Sequence, residues 1–231
     1  MPTPKITSNR YLIKSFLDEN IRRFAISLPS INVRILDVGC GKKPYYKYFR
    51  SSYYVGIDKY SQEADIIAVA EKLPIRSSCF DIVLCTQVLE HVEQPIEALK
   101  EMERVLRDSG LLILSTHGFW IEEHEPEDYW RWTFQGLTKI LNECGFKIVK
   151  HTSMEPITSL FQTFLLYIPQ KTVFSPLIAC INIIAMILRR ILKNRGPKLH
   201  IDHIIIAKNR EELLAKRWKH FTKNASNNAK R

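Results

Sequence analysis

Two short apolar runs, one ending in a glycine turn and one on an acid, constrain most strongly what this chain can fold into. Arg34-Ile35-Leu36-Asp37-Val38 leads into Gly39-Cys40-Gly41, and Tyr53-Tyr54-Val55-Gly56-Ile57 stops at Asp58. Apolar runs of this length, closed by turn residues, read as strands buried on both faces of a parallel sheet. In such sheets a ligand binds beyond the carboxyl ends of the strands, where the strand order reverses. Gly39 and Gly41 would let the backbone turn tightly with no Cβ toward the ligand. Asp58, 19 residues after Gly39, could accept both hydroxyls of a ribose.

The rest of the pattern extends this pair into one α/β domain. Ser8 is expected to cap a helix presenting Leu12, Ile13, Phe16, Leu17, Ile21 and Phe24. Further strands are expected over Asp65–Ala68, Phe80–Cys85, Leu111–Ser115, Phe146–Lys150 and Ile201–Ala207. Helical spacing covers Pro95–Arg107, and Thr133 is expected to cap a helix through Leu141. Asp108-Ser109-Gly110 reads as a turn. Strands alternating with helices imply parallel βαβ units and a doubly wound, seven-stranded sheet. The expected organisation is a single domain over 1–209, with an apolar helical insert at about 155–198 before the last strand. Residues 210–231 read as a basic C-terminal helix or tail.

Charge divides the chain. Residues 1–154 hold 20 Lys+Arg against 20 Asp+Glu, whereas 155–231 hold 14 against 4, so the whole excess of +10 lies in the last third. That asymmetry asks for an acidic partner, a membrane surface or nucleic acid, against the plain alternative of a solvated tail. The five cysteines form no C-x-x-C pair, so neither a disulfide frame nor a zinc site is expected. The first ten residues contain no apolar leader, which makes a cytoplasmic protein the expectation, peripheral at the inner face of a membrane if the basic part docks there.

The glycine turn can be assigned to a cofactor type. A dinucleotide fingerprint needs a third glycine three residues after the second, and that position is Pro44. Asp37 would also face a pyrophosphate with like charge. A sulfonium cofactor has no phosphate and carries a positive centre, which favours S-adenosyl-L-methionine. The segments Ile35–Gly41, Val55–Asp58, Ala70-Glu71-Lys72-Leu73-Pro74, Phe80–Val83, Val88-Leu89-Glu90-His91-Val92 and Arg104–Gly110 together resemble the successive motifs of class I methyltransferases, in the type 11 branch. The resemblance spans roughly residues 30–150. It implies a Rossmann-like methyltransferase sheet of order 3-2-1-4-5-7-6 and S-adenosylmethionine as methyl donor. It also implies roles. Gly39, Cys40 and Gly41, with Asp37, would line the methionine part; Asp58, with Lys59 beside it, would hold the ribose. Ala70 and Glu71 would flank the adenine, and Thr86 and Gln87 would lie near the sulfonium. Lys42 or Lys43 could meet the cofactor carboxylate. The chain departs from the family at Val69, where an acid often stands, and at Asp108-Ser109-Gly110, where Pro-Gly-Gly is usual.

Methyl transfer is an in-line displacement, so alignment of donor and acceptor dominates, and a hydroxyl acceptor also needs a base. The candidates follow the fifth strand: His124 first, then His117 and Asp128. The run His124–Thr133 resembles a signature of methyltransferases from bacterial cell-surface polysaccharide clusters. Its aromatic residues would wall a sugar pocket, or else pack as core with Asp128 and Arg131 as a structural pair. The chain has no Asn-Pro-Pro-Tyr or Asp-Pro-Pro-Tyr tetrapeptide, no Pro-Cys pair and no paired acids of the catechol type, so no metal is expected. Val173–Leu188 is too short, at sixteen residues, to span a bilayer, and reads as a cap over the acceptor or an interfacial helix. The reading is therefore an O-methyltransferase for a sugar or other small, lipid-linked acceptor. A tRNA or rRNA methyltransferase is the less favoured alternative, and a non-catalytic cofactor-binding domain another.

Overall fold

β1 (Arg34–Val38) lies at the centre of the sheet because nothing in it is polar except the buried Asp37 and the exposed Arg34 at its start. The computed structural model describes residues 5–28, 33–49, 53–123, 126–192 and 200–209. β1 pairs in parallel with β2 (Tyr53–Asp58) on one side and β4 (Phe80–Thr86) on the other. β3 (Ile66–Ile67) continues from β2, and β5 (Leu106–His117) from β4, both in parallel. β7 (Asp202–Asn209) then runs antiparallel between β5 and β6 (Phe146–Ser153). The order is β3-β2-β1-β4-β5-β7-β6, so the reversal of strand order falls between β1 and β4.

Alternate residues of the central strands feed two cores. Leu36, Val83 and Leu112 pack under α2 (Pro95–Val105) and α3 (Phe134–Glu143). Ile35, Ile82, Leu84 and Ile113 face Ile21 of α1 (Tyr11–Ser27) and Phe49. A third cluster joins α1 to α4 (Pro156–Leu166) and α5 (Ser175–Ile191) through Leu12, Phe16, Leu165, Ile178 and Ala185. Buried polar side chains tie the same elements. Gln162 accepts from Ile13 N–H at 3.1 Å and donates to the Asn9 carbonyl at 2.8 Å. Asn182 donates to the carbonyls of Ile6 and Ser8.

Several local expectations are corrected. α1 starts at Tyr11, three residues after Ser8, whose hydroxyl accepts from Arg10 N–H instead of capping the helix. The Asp108-Ser109-Gly110 turn is absorbed into β5 as an irregularity, with Ser109 at φ 68°. The last strand is antiparallel, because the insert returns the chain to the end of the sheet where β6 finishes, with Ser153 opposite His203. The apolar helix is longer than sixteen residues. With a preceding 3-10 turn it covers Thr172–Ile191, 20 residues, long and apolar enough by length and composition to cross a membrane. Thr133 does cap α3, its hydroxyl accepting from Gly136 N–H at 3.1 Å. The basic segment 210–231 lies outside the described residues.

Candidate active site

The turn after β1 is built by two glycines with positive φ, Gly39 at 71° and Gly41 at 50°. A Cβ on Gly39 would sit 2.1 Å from Val88 Cγ2, so no larger residue fits there. Asp58 closes the turn from the end of β2. One carboxylate oxygen accepts from Gly41 N–H and the other from Tyr60 and Ser61 N–H, all at 2.8 Å. Two oxygens offer about four acceptor positions, so at least one remains for a ligand hydroxyl. Beneath the turn, Asp37 is fully buried and accepts from the Tyr54 hydroxyl, while its other oxygen has no hydrogen-bond partner. Burial pushes its carboxyl up to about 7.

Two cavities open at this end of the sheet. The first, about 420 Å3, is lined by Gly39, Asp58, Lys59, Val69, Ala70 and Glu71, with Tyr129 at its edge. The second, about 480 Å3, is lined by Gly41, Thr86, Gln87, His117 and Trp120, and by Arg10, Ile13, Lys14 and Leu17 of the α1 segment. Gly39, Gln87 and His91 line both, so the cavities meet at the switch point between β1 and β4. Gln87 is held there in a left-handed conformation, φ 55°, strained for a residue with a side chain. Its amide donates to Asp202 Oδ1 at 3.0 Å and to Ser115 Oγ at 3.1 Å.

The second cavity holds the only sequence-selected base among the described residues that faces it. His117 ends β5 and stacks on Trp120, ring centroids 4.4 Å apart. Its Nε2 lies 3.5 Å from Glu90 Oε1 and its Nδ1 3.9 Å from Asp202 Oδ1. Burial, helped by the nearby Arg131 charge, pulls the His117 pKa down to about 3, so the imidazole is neutral near pH 7. Burial pushes Glu90 up to about 7 and Asp202 well above the usual carboxylate range. Glu90 is fixed by Thr116, whose hydroxyl donates to it at 2.8 Å.

The other selected residues fall elsewhere. Asp128 lines neither cavity; it forks onto Arg131 and accepts from Glu123 N–H at 2.9 Å. Arg131 in turn donates to the carbonyls of Trp120 and Ile121, so this pair holds the loop after β5 that carries Trp120. Trp130 donates to the Val92 carbonyl and stacks with Trp132, leaving Trp120, with Tyr45, as the aromatic lining of the second cavity. Lys43 is engaged by Asp65 at 2.6 Å and Lys42 approaches Glu63 at 3.8 Å. Cys40, though buried, contributes with Gly39 and Gly41 to the lining of the second cavity. His124 lies outside the described residues. Sequence reasoning missed Glu90 and Asp202 as partners of His117. The Glu90-His91 pair was visible as a motif, but Asp202 reaches the site only through antiparallel pairing with His117.

Residues 36–114 match the model of a methyltransferase domain family. The chain belongs to the S-adenosylmethionine-dependent methyltransferases. Over 180 residues it is 29% identical to an uncharacterised protein of Methanocaldococcus jannaschii, covering 74% of this chain and 77% of that one. Over 115 residues it is 30% identical to a thiol S-methyltransferase of Mus musculus, covering 42% of this chain and 45% of the mouse protein. This methyltransferase thus spans under half of the mouse relative's length. A solved S-adenosylmethionine-dependent methyltransferase of Archaeoglobus fulgidus shares the fold at TM-score 0.56, with 22% identity over 84% of this chain and 94% of that one.

The residues present fit the cofactor. Asp58 keeps acceptor capacity for ribose, Ala70 and Glu71 wall the first cavity, and the unpartnered buried oxygen of Asp37 lies beneath the turn that would take the charged methionine end.

Proposed function

We propose that this methyltransferase delivers its methyl group to an oxygen of a sugar or other small hydroxylated acceptor, presented at a membrane surface. The observation that carries the reading is the meeting of two cavities at Gly39, Gln87 and His91, with a neutral histidine in the second. When bound, S-adenosylmethionine supplies an electrophilic methyl carbon on a sulfonium. Asp58, Ala70 and Glu71 hold the nucleoside, and Gln87 with Thr86 shapes the passage between the cavities. A hydroxyl becomes a competent nucleophile as its proton leaves, and the neutral His117 ring, which lines the second cavity, takes that proton. The imidazolium so formed is stabilised by Glu90, once that carboxyl is ionised, 3.5 Å from Nε2. Because Glu90 ionises at about 7, turnover should rise with pH through that value.

The membrane part rests on the insert. α1 lines the acceptor cavity with one side and packs with the other on α4 and α5. Outward, those helices expose Leu160, Phe164, Leu177, Ile184, Ile187 and Ile191. The surrounding sequence carries the excess of basic residues. An apolar face flanked by cations suits an anionic bilayer surface. A thiol acceptor is the second reading, favoured by the likeness to the mouse protein. A thiolate has no proton to lose, so it would be indifferent to His117.

The test uses cofactor carrying a tritiated methyl group, offered lipid, free saccharide, RNA and thiol fractions. Label should enter the lipid or saccharide fraction. His117→Asn should lower turnover by roughly 100-fold or more with cofactor affinity unchanged. Glu90→Gln should remove the rise near pH 7. Label confined to RNA or thiols, or full turnover by His117→Asn, would overturn the proposal.

A further inference from the structure

On the face of β7 opposite Asp202, three histidines converge. His151 from β6, His203 from β7 and His200 just before β7 each bring a ring nitrogen within 4.8 Å of the others. His151 Nε2 and His203 Nδ1 are 3.0 Å apart. The rings are tilted by 32–55° to one another at centroid distances of 5.2–5.5 Å. We propose that His151, His200 and His203 form a site for a divalent transition metal of the zinc class.

The chemistry of the donor set supports it. Zinc–imidazole bonds of about 2.1 Å in a tetrahedron put ligand nitrogens about 3.4 Å apart. The separations present bracket that value, so closure needs only small ring movements. His203 Nε2 lies 3.0 Å from the Trp132 carbonyl, and as an N–H it donates there, which leaves Nδ1 unprotonated toward the cluster. A ligand histidine whose other nitrogen is fixed by a carbonyl is the usual outer arrangement of protein metal sites. Phe134 stacks on His151 at 4.0 Å and orients it. Gly118 leaves the room: a Cβ there would lie 2.2 Å from the His200 carbonyl oxygen and 3.0 Å from His203 Nε2. Three protein ligands leave a fourth position for water.

The site would act on the acceptor wall without touching the methyl transfer. Adjacent residues of a strand face opposite sides, so Asp202 turns to His117 while His203 turns to the metal. Trp132, whose carbonyl meets His203, donates its N–H to the His117 carbonyl at 3.1 Å. A bound ion would thus tie the β6–β7 pair and the loop before α3 into one unit behind His117.

The experiment titrates untagged, chelator-stripped full-length protein with Co2+ and then Zn2+. One equivalent of Co2+ should give the visible ligand-field spectrum of a four-coordinate site, and Zn2+ should displace it. His151→Gln and His200→Gln, both at half-buried positions, should each weaken binding by at least the roughly 10–100-fold that loss of an outer-shell partner costs. They should still bind S-adenosylmethionine, which separates this inference from the reading of the methyl site. Without any variant, one equivalent of Zn2+ should shift the ring-nitrogen resonances of three histidines together. No Co2+ spectrum, a spectrum retained in both variants, or zinc shifts at other histidines would overturn the assignment.

Discussion

Asp37 places a fully buried carboxyl beneath the glycine turn, where it would serve a bound cofactor at the expense of the empty fold. It is fully buried, its carboxyl raised to about 7 from 3.8. A carboxyl whose folded pKa is raised contributes stability that is fully present below the unfolded value. That contribution drains away as pH rises toward the folded value. Between about pH 4 and 7 the unbound enzyme should therefore lose a few kcal/mol through Asp37 alone, at about 1.4 kcal/mol per unit. Asp37→Asn should escape this loss and be more stable than the parent at pH 7, relative to their difference at pH 4, as read by urea unfolding. The same substitution should weaken S-adenosylmethionine, whose positive charges favour the ionised carboxylate, and abolish proton release on binding in calorimetry in buffers of different ionisation enthalpy. If stability and affinity move together, Asp37 is a packing residue only. This acid was legible in the sequence because it breaks an apolar run. Glu90 and Asp202 were not, since what gives them a role is the ring placed between them by folding.

At the scale of elements, what was legible tracks how local its cause is. The alternating strands, the two glycines with positive φ and the Thr133 cap depend on neighbours in sequence, and they appear where periodicity puts them. The histidine cluster depends on pairing between β6 and β7 across 52 residues, and no spacing rule reaches that far. The segment from Trp120 to Arg131 lies between these cases. Its acid and base were visible, and their use as a structural pair was one of the two readings, but what the pair secures was not. Asp128 and Arg131 fork together and secure Trp120, which stacks on His117. The Asp128 side chain is almost fully buried, so Asp128→Asn leaves Arg131 short of its counter-ion. A loss of about 3 kcal/mol in urea unfolding is expected for breaking such a pair. Because Asp128 lines neither cavity, cofactor affinity should stay at the parental value. Unchanged stability, or affinity lost in proportion to it, would assign Asp128 a different role.

For the whole molecule the question is how an acceptor reaches His117. The second cavity, the proposed acceptor site, is walled by α1, α1 rests on α4 and α5, and the outer face of those two helices is apolar. Within the twenty residues Thr172–Ile191 the inner stripe is Ile178, Asn182 and Ala185, and Asn182 is bonded to the chain leading into α1. On the proposed reading, a helix anchored in this way along one side would lie on a bilayer with its other side immersed. Binding should then need both an apolar and an electrostatic part. The protein should float with vesicles containing phosphatidylglycerol, and much less with phosphatidylcholine alone. It should leave the anionic vesicles as salt shortens the screening length from about 10 Å to about 3 Å. Leu177→Glu with Ile187→Glu, both at exposed positions, should abolish flotation while leaving S-adenosylmethionine affinity intact. Absence of flotation at low salt, or a dimer in sedimentation that the same pair of substitutions dissolves, would give this face to a second copy of the chain instead. The acceptor would then have to reach His117 from solution.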